Sequence, residues 1–498
     1  MKREDSTEEE IRPRSVGPPL KQRNARSSSN MHLVADEEES TPSYMPPWTT
    51  PYIIGVGGTS GSGKTSVASK IVASINTPWT VLISLDNFYK PLSAEERARA
   101  FRNEYDFDEP QALDLDLAYQ CLLALKEGKK MTMPVYSFVH HNRVPDKSIT
   151  IYGASVVVLE GIYALHDKRI TDLMDLKVYV DADLDICLAR RLSRDIISRG
   201  RNLESCISQW EKFVKPNADK FVKPTMKNAD AIFPSMSDNS IATKMLINHI
   251  KSKLQRKSQD HIDKLVQLGH ETIPLETLDT IHQLERTNQA CSLKTMILDS
   301  SLDRDDFVFY FNRIATILVS RALDDIAIVR DELPLVTASG YQLEKPVHVN
   351  FDKITAVNIV RSGDCFMASL RKTVPNISIG KLLIQSDSQT GEPQLHCEFL
   401  PVNIGGSFDQ VLLMDAQIIS GAAIIMAIQV LVDHGVELSK IKVIVYLATE
   451  IGIRRIINAF NNKVVIYAGE IISDESMTDG QCNWARVRFI DSRYFGCD

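Results

Sequence analysis

The stretch Gly58 to Thr65 reads GTSGSGKT and fits the GxxxxGK[ST] spacing at every fixed position. Its residue types suit the binding of a polyphosphate. The backbone N–H groups of Gly58, Thr59, Ser60, Gly61, Ser62 and Gly63 can turn inward on a phosphate, and the start of a helix adds its partial positive charge. Lys64 is placed to bridge the outer phosphates, and the Thr65 hydroxyl to hold Mg²⁺. The alternative is a glycine-rich turn that binds nothing. The complete match, with an apolar run before it and helix-compatible residues after it, favours a nucleoside triphosphate.

Two carboxylates and a run of arginines extend that chemistry. Asp86 follows VLISL and opens DNFYK. A carboxylate at a strand end facing a phosphate loop suits a general base that takes a proton from an attacking hydroxyl. A helix cap or a Mg²⁺ ligand is the other reading of that position. Glu160, in VVVLEGI, is a second acid at a strand end and suits the water shell of the metal; buried there, it calls for a cation nearby. In RRLSRDIISRGR, Arg190, Arg191, Arg194, Arg199 and Arg201 fall within twelve residues. At helical spacing Leu188, Leu192 and Ile196 form an apolar stripe, with Arg190, Arg191 and Arg194 on the opposite flank. Arg191 and Arg194 are expected to clamp a transferred phosphoryl group and exclude water, whereas Arg190 is expected on a solvated face.

The elements that would position these groups alternate between β-type and helical patterns from about residue 49 to 255. Tyr52 to Val56, Thr80 to Asp86, Ser155 to Gly161 and Leu176 to Asp181 are strand candidates, largely apolar as strands buried on both faces of a parallel sheet are. The class is α/β, with a doubly wound parallel sheet. Its ligands sit beyond the carboxyl ends of the strands, where the phosphate loop, Asp86 and Glu160 all fall. Residues 1–48 mix like-charge runs with Ser, Arg and Pro and read as a disordered leader. There RPRSVG and Ser27, Ser28 and Ser29 are either regulatory phosphorylation sites or part of a plain solvated tail.

The 498 residues leave room for two or three domains, and 44% hydrophobic with 24% charged residues is ordinary for a soluble globular protein. A net charge of −7 argues against a general affinity for nucleic acid or anionic membrane. The eight cysteines are scattered with no CxxC pair, which points to a reducing compartment and away from a structural metal. The most apolar segment, Ala422 to Val432, is too short to span a bilayer and is interrupted by Gln429, and the N-terminus lacks an apolar signal core. The expected location is the cytosol, with a nuclear pool left open.

GGTSGSGKT, SLDNFYKPL, YDFDEP, PVYSFVHHNR, LEGIYAL and RRLSRDIISRGR, in this order between about 49 and 240, resemble the uridine-cytidine kinase family. PVYxFxxHxR is characteristic of that family among phosphate-loop kinases. The resemblance implies transfer of a phosphoryl group from ATP, with Mg²⁺, to the 5′-hydroxyl of uridine or cytidine. It makes Asp86 the catalytic base, assisted by Lys64, Arg191 and Arg194. It places Tyr89, Phe107, Tyr136, Phe138, His141, Arg199 and Gln209 against the nucleoside, with Asp86 and Arg191 beside them. Arg191, Arg194 and Arg201 become lid arginines, the last two reaching ATP. The residue types agree: a pyrimidine needs a flat aromatic wall and hydrogen-bond partners along its edge. A histidine serves both the O4 of uracil and the N4 of cytosine, because its ring nitrogens donate or accept with the tautomer. Ser137 departs from the pattern, since the family usually has Asp there, and is expected to alter a local contact only.

The remainder, about 256 to 498, opens with the polar helical stretch KSKLQRKSQDH, read as a linker or lid end. It continues with a helix-like Phe307 to Leu323 and strands at Ala356 to Arg361, Lys381 to Gln385, Gln410 to Met414 and Lys442 to Leu447. This is a second α/β domain. IVRSGDCFMASLR, VLLMDAQIISGAA and RYFGCD resemble a uracil phosphoribosyltransferase. Where an active member has a TGG[ST] turn around a phosphate, this chain has Ser420, Gly421, Ala422 and Ala423. Where the uracil-reading PGLGD stretch belongs, Ala485 to Ser492 stand instead. The expected role is therefore subunit association, making the chain a homo-oligomer, or sensing of a pyrimidine nucleotide. A chain that uses both uracil and uridine is the alternative.

Overall fold

The computed structural model describes residues 44–75, 80–197, 201–235, 240–270, 274–326, 328–387, 390–478 and 482–497. The expected leader, with Ser27, Ser28 and Ser29, lies outside them as far as residue 43. Of its last five residues, Tyr44 and Trp48 are buried, so the chain already packs before residue 49. Two compact units emerge, Trp48–Ile250 and Lys251–Asp498, the second also taking in the segment that ends at Pro47.

The first unit is built on strands β1 (Tyr52–Gly58), β2 (Thr80–Ser84), β3 (Met131–Ser137), β4 (Asn142–Ile151), β5 (Val156–Glu160), β6 (Leu176–Asp181) and β7 (Ala231–Pro234). Five of them form one parallel sheet in the order β2-β5-β1-β6-β7. The middle strands β1 and β5 are buried at every residue, which is why they read as unbroken apolar runs. β1 ends in the phosphate loop, and the helix Lys64–Ile75 follows it and buries Val67, Ala68 and Ile71. β3 and β4 form a separate antiparallel hairpin with a bulge between Pro134 and Tyr136.

The second unit has a seven-stranded sheet. Its order is Pro393–Phe399, Ser378–Ser386, Ile354–Val360, Gln410–Ile418, Ile441–Thr449, Val465–Ile472 and Ile281–Gln283, and the first pair is antiparallel and the rest parallel. The helix Arg304–Asp324 lays Phe307, Phe311, Ile314 and Leu318 into the core beside it. KSKLQRKSQDH lies in one continuous helix, Ser240–Gln267, in which His261 is buried and bonded to Tyr44 and Glu392. Among the described residues no helix is long and apolar enough to cross a membrane.

Candidate active site

The phosphate loop turns where its glycines allow it. Gly61 has φ +86, and a Cβ on it would lie 2.3 Å from the carbonyl oxygen of Cys187. The loop therefore needs glycine there for the close approach of a neighbouring helix as well as for a positive φ. Ser62 N–H donates to Thr59 O at 3.0 Å and closes the turn, and Lys64 starts the helix behind it. The Thr65 hydroxyl donates to Glu160 Oε2 at 3.2 Å, and the Ser84 hydroxyl to Glu160 Oε1 at 2.7 Å. Glu160 is 4% exposed. Three hard oxygen groups thus meet at the carboxyl ends of β2 and β5 beside the loop, a donor set that fits Mg²⁺. Ser84 completes it and was not legible as a site residue.

Asp86 does not end a strand as expected. β2 stops at Ser84, and Asp86 lies in the first turn of the 3-10 helix Leu85–Phe88, its N–H donating to Ser84 Oγ at 3.4 Å. The capping hydroxyl belongs to Ser84, so the Asp86 carboxylate is not the cap. It lines one cleft together with Ser60 and Lys64 and with Tyr89, Tyr136, Phe138 and His141.

The rings among them, with Phe107, form a continuous aromatic wall. The Tyr89 and Tyr136 rings are 5.0 Å apart, Tyr136 and Phe138 5.4 Å, and Phe107 stacks on His141 at 5.1 Å. The β3–β4 hairpin delivers Tyr136 and Phe138, and Arg143 fixes it by donating to Tyr89 O at 2.9 Å and to Asp114 at 3.1 Å. The Tyr136 hydroxyl is buried with no hydrogen-bond partner among the described residues, and burial pushes its phenol well above the ordinary range. It stays protonated and can donate to a polar ligand atom. Burial, with the charge of Arg201, pushes the His141 imidazole below its ordinary range, so the ring is neutral at neutral pH. Ser137 bonds His140 Nδ1 at 2.9 Å in the hairpin turn, away from the residues that line the cleft. The YDFDEP stretch gives Tyr105 and Asp108 to the cleft as well as Phe107, two lining residues to which the resemblance assigns no role.

The arginines sit on the helix Leu184–Ile197 and just after it, but not as the periodicity predicted. The buried line is Cys187, Arg191 and Asp195, whereas Leu188 and Leu192 are only partly buried and Ile196 is exposed. The helix turns its charged side inward because that side faces the phosphate loop: Arg191 Nη1 donates to Ser60 Oγ at 2.8 Å and lies 3.5 Å from Asp108. Arg190 is exposed yet not merely solvated, donating to Ser62 O at 3.3 Å and Ser235 Oγ at 2.8 Å. Arg194 and Arg201 line the cleft; Arg201 Nη1 donates to Gln209 Oε1 at 2.9 Å, and Gln209 in turn to Asn103. Arg199 lies outside the described residues.

Residues 53–242 match the model of the phosphoribulokinase / uridine kinase family, and residues 284–484 that of uracil phosphoribosyltransferase. The chain is 69% identical to a uridine kinase of Saccharomyces cerevisiae over 91% of its own length and 90% of that protein. The chain belongs to the uridine kinase family. A uridine kinase of Schizosaccharomyces pombe is 39% identical, over 92% of this chain and 98% of that one, and a mouse uridine-cytidine kinase-like 1 is 37% identical, over 90% and 79%.

In the phosphoribosyltransferase-like half of this family member, the groups at the strand ends are taken up internally. Arg361 pairs with Asp491 at 2.9 Å, and the buried Asp415, its carboxyl pushed up by burial against the pull of Arg488, lies 3.5 Å from that arginine. Gln417 Oε1 accepts from the N–H groups of Phe489 and Ile490 at 2.8 and 3.0 Å, and its amide donates to Val487 O at 3.2 Å. The main chain of residues 487–490 is thus bonded to a side chain of the same unit. Ser420 O, in the altered turn, accepts from Arg455 at 3.1 Å.

Proposed function

We propose that this uridine kinase family member transfers the γ-phosphoryl group of ATP to the 5′-hydroxyl of uridine or cytidine, giving UMP or CMP. The observation that carries the reading is one cleft lined together by Lys64, Asp86, three arginines and an aromatic wall. The pyrimidine lies against Tyr89, Phe107, Tyr136 and Phe138, with His141 and Tyr136 on its polar edge and Gln209 and Arg199 as further contacts. Asp86 takes the proton of the 5′-hydroxyl as its oxygen attacks the γ-phosphorus; the bond to the bridging oxygen breaks and ADP leaves. Lys64 and the loop N–H groups hold the phosphates, and Arg191, Arg194 and Arg201 stabilise the charge spread over the transferred group. Thr65 and Glu160 would hold Mg²⁺, which would supply positive charge against the triphosphate. The test is a steady-state assay of the purified protein with a panel of nucleosides and phosphate donors. UMP and CMP formation with ATP is expected, and turnover only with a purine nucleoside or a sugar phosphate would overturn the reading.

We assign residues 49–255 to the kinase and 256–498 to a domain that regulates or assembles it. The internal pairing of Arg361, Asp415 and Gln417 supports this over a second transferase activity. So does the apolar surface between Ile328 and Val349, where two short antiparallel pairs expose Ile328, Leu333, Leu335, Val336, Tyr341 and Val347 and leave them available to a second copy of the chain. All eight cysteines are free, in keeping with the cytosol.

A further inference from the structure

We propose that Asp195 is a positioning residue for phosphoryl transfer: its carboxylate holds the guanidiniums of Arg191, Arg194 and Arg201 in register with the phosphate loop without touching substrate. This rests on the nucleoside kinase reading and extends it to a residue that does not line the cleft. Asp195 is fully buried, one helical turn beyond Arg191. Its carboxylate lies 2.9 Å from Arg194 Nε, 3.6 Å from Arg191 Nε and 3.6 Å from Arg201 Nη1, and its backbone carbonyl accepts from the N–H of Arg201 at 3.0 Å. Among the described residues it is the one carboxylate within ion-pair distance of all three.

The geometry separates holding from reaching. Asp195 faces the Nε edge of Arg191 across an ion-pair distance of 3.6 Å while Nη1 of the same guanidinium donates to Ser60 in the loop, so its charge draws that arginine toward the helix as the loop holds the other edge. Arg194 is the arginine whose Nε donates to the carboxylate, at 2.9 Å, and its planar fork carries that constraint to its other donors. Arg201 is held through one nitrogen: its Nη1 lies 3.6 Å from Asp195 and donates to Gln209 Oε1 at 2.9 Å. Three cations brought this close repel one another, and without a buried counter-charge they would spread into solvent before the triphosphate arrived. A carboxylate buried this deeply gains from every cation around it. This one gathers three, each of which lines the cleft.

The test is a double-mutant cycle with the full-length protein. Asp195→Asn keeps the shape and removes the charge; kcat is expected to fall about a hundredfold, the scale of a misplaced catalytic group. The KM for nucleoside should move by less than about threefold, because the aromatic wall is untouched. On an Arg194→Ala background the same change should cost less than about tenfold, since part of what Asp195 acts through is already gone. A purely structural role would lower the thermal midpoint and cost the same factor on both backgrounds. Should Asp195→Asn not fold, the cycle is run with Asp195→Glu, which keeps the charge but shifts it by one methylene, and the same pattern is expected. A kcat within about twofold of the unaltered chain, or equal losses on both backgrounds, overturns the proposal. The ratios are read on whichever nucleoside the unaltered chain phosphorylates, so a wrong assignment of Asp195 shows up separately. A chain that phosphorylates none sinks the kinase reading, and this proposal with it.

Discussion

At the scale of single residues, the carboxylate of Asp86 and the ring of His141 carry separate parts of the chemistry. Asp86→Asn removes the base and leaves the phosphate loop intact. It is expected to lower kcat by at least about a hundredfold with ATP binding unchanged, measured by steady-state kinetics and calorimetry. For His141 the sign follows from burial: the native imidazole is held below its ordinary range, so it gains a proton only as pH drops past that range. An imidazolium has two donors and no acceptor; it can still serve the O4 of uracil but not the amino group of cytosine. The KM for cytidine should therefore rise at acid pH more steeply than that for uridine, and parallel profiles would contradict this role. The groups readable in the sequence were those fixed by a motif, such as Lys64, Thr65 and Glu160. Asp195 and Ser84 were not, because an acid among arginines or a serine at a strand end reads as solvated until the fold turns it inward.

At the scale of elements, the approach of the helix Leu184–Ile197 to the phosphate loop depends on Gly61 having no side chain. Gly61→Ala would drive a Cβ into the carbonyl of Cys187 and push apart the two elements that Arg191 bridges. Its kcat/KM for ATP is expected to fall about a hundredfold, with a folded protein by circular dichroism; an unaffected value would show that the approach is not needed. β1, β5 and β6 were legible as apolar runs because they lie deep in a parallel sheet. The β3–β4 hairpin was not. Pro134, the bulge after it and the exposed polar face of β4 break the alternation that marks a strand, although the hairpin delivers half of the aromatic wall. The arginine helix was found but rotated, since periodicity assumes that apolar residues face inward, and here an ion cluster does.

At the scale of the whole molecule, the two halves are expected to answer to different tests. The purified chain should form no UMP from uracil and phosphoribosyl pyrophosphate, since Arg361, Asp415 and Gln417 are already engaged within the unit. A clear signal would restore the bifunctional reading. Replacing Leu335 and Val336 by Asp should shift the oligomeric state in sedimentation while kcat stays within about twofold. The lost glycine and hydroxyl of the 420–423 turn were visible in the sequence, but the capture of the 487–490 main chain by Gln417 required the fold. The account as a whole turns on one geometry, and the most direct measurement is a structure of the protein with uridine and a non-hydrolysable ATP mimic. It should show the 5′-oxygen within roughly 2.6–3.2 Å of the Asp86 carboxylate and in line with the γ-phosphorus, the base lying against Tyr89, Tyr136 and Phe138. A ribose turned away from Asp86, or a base outside the aromatic wall, would contradict it.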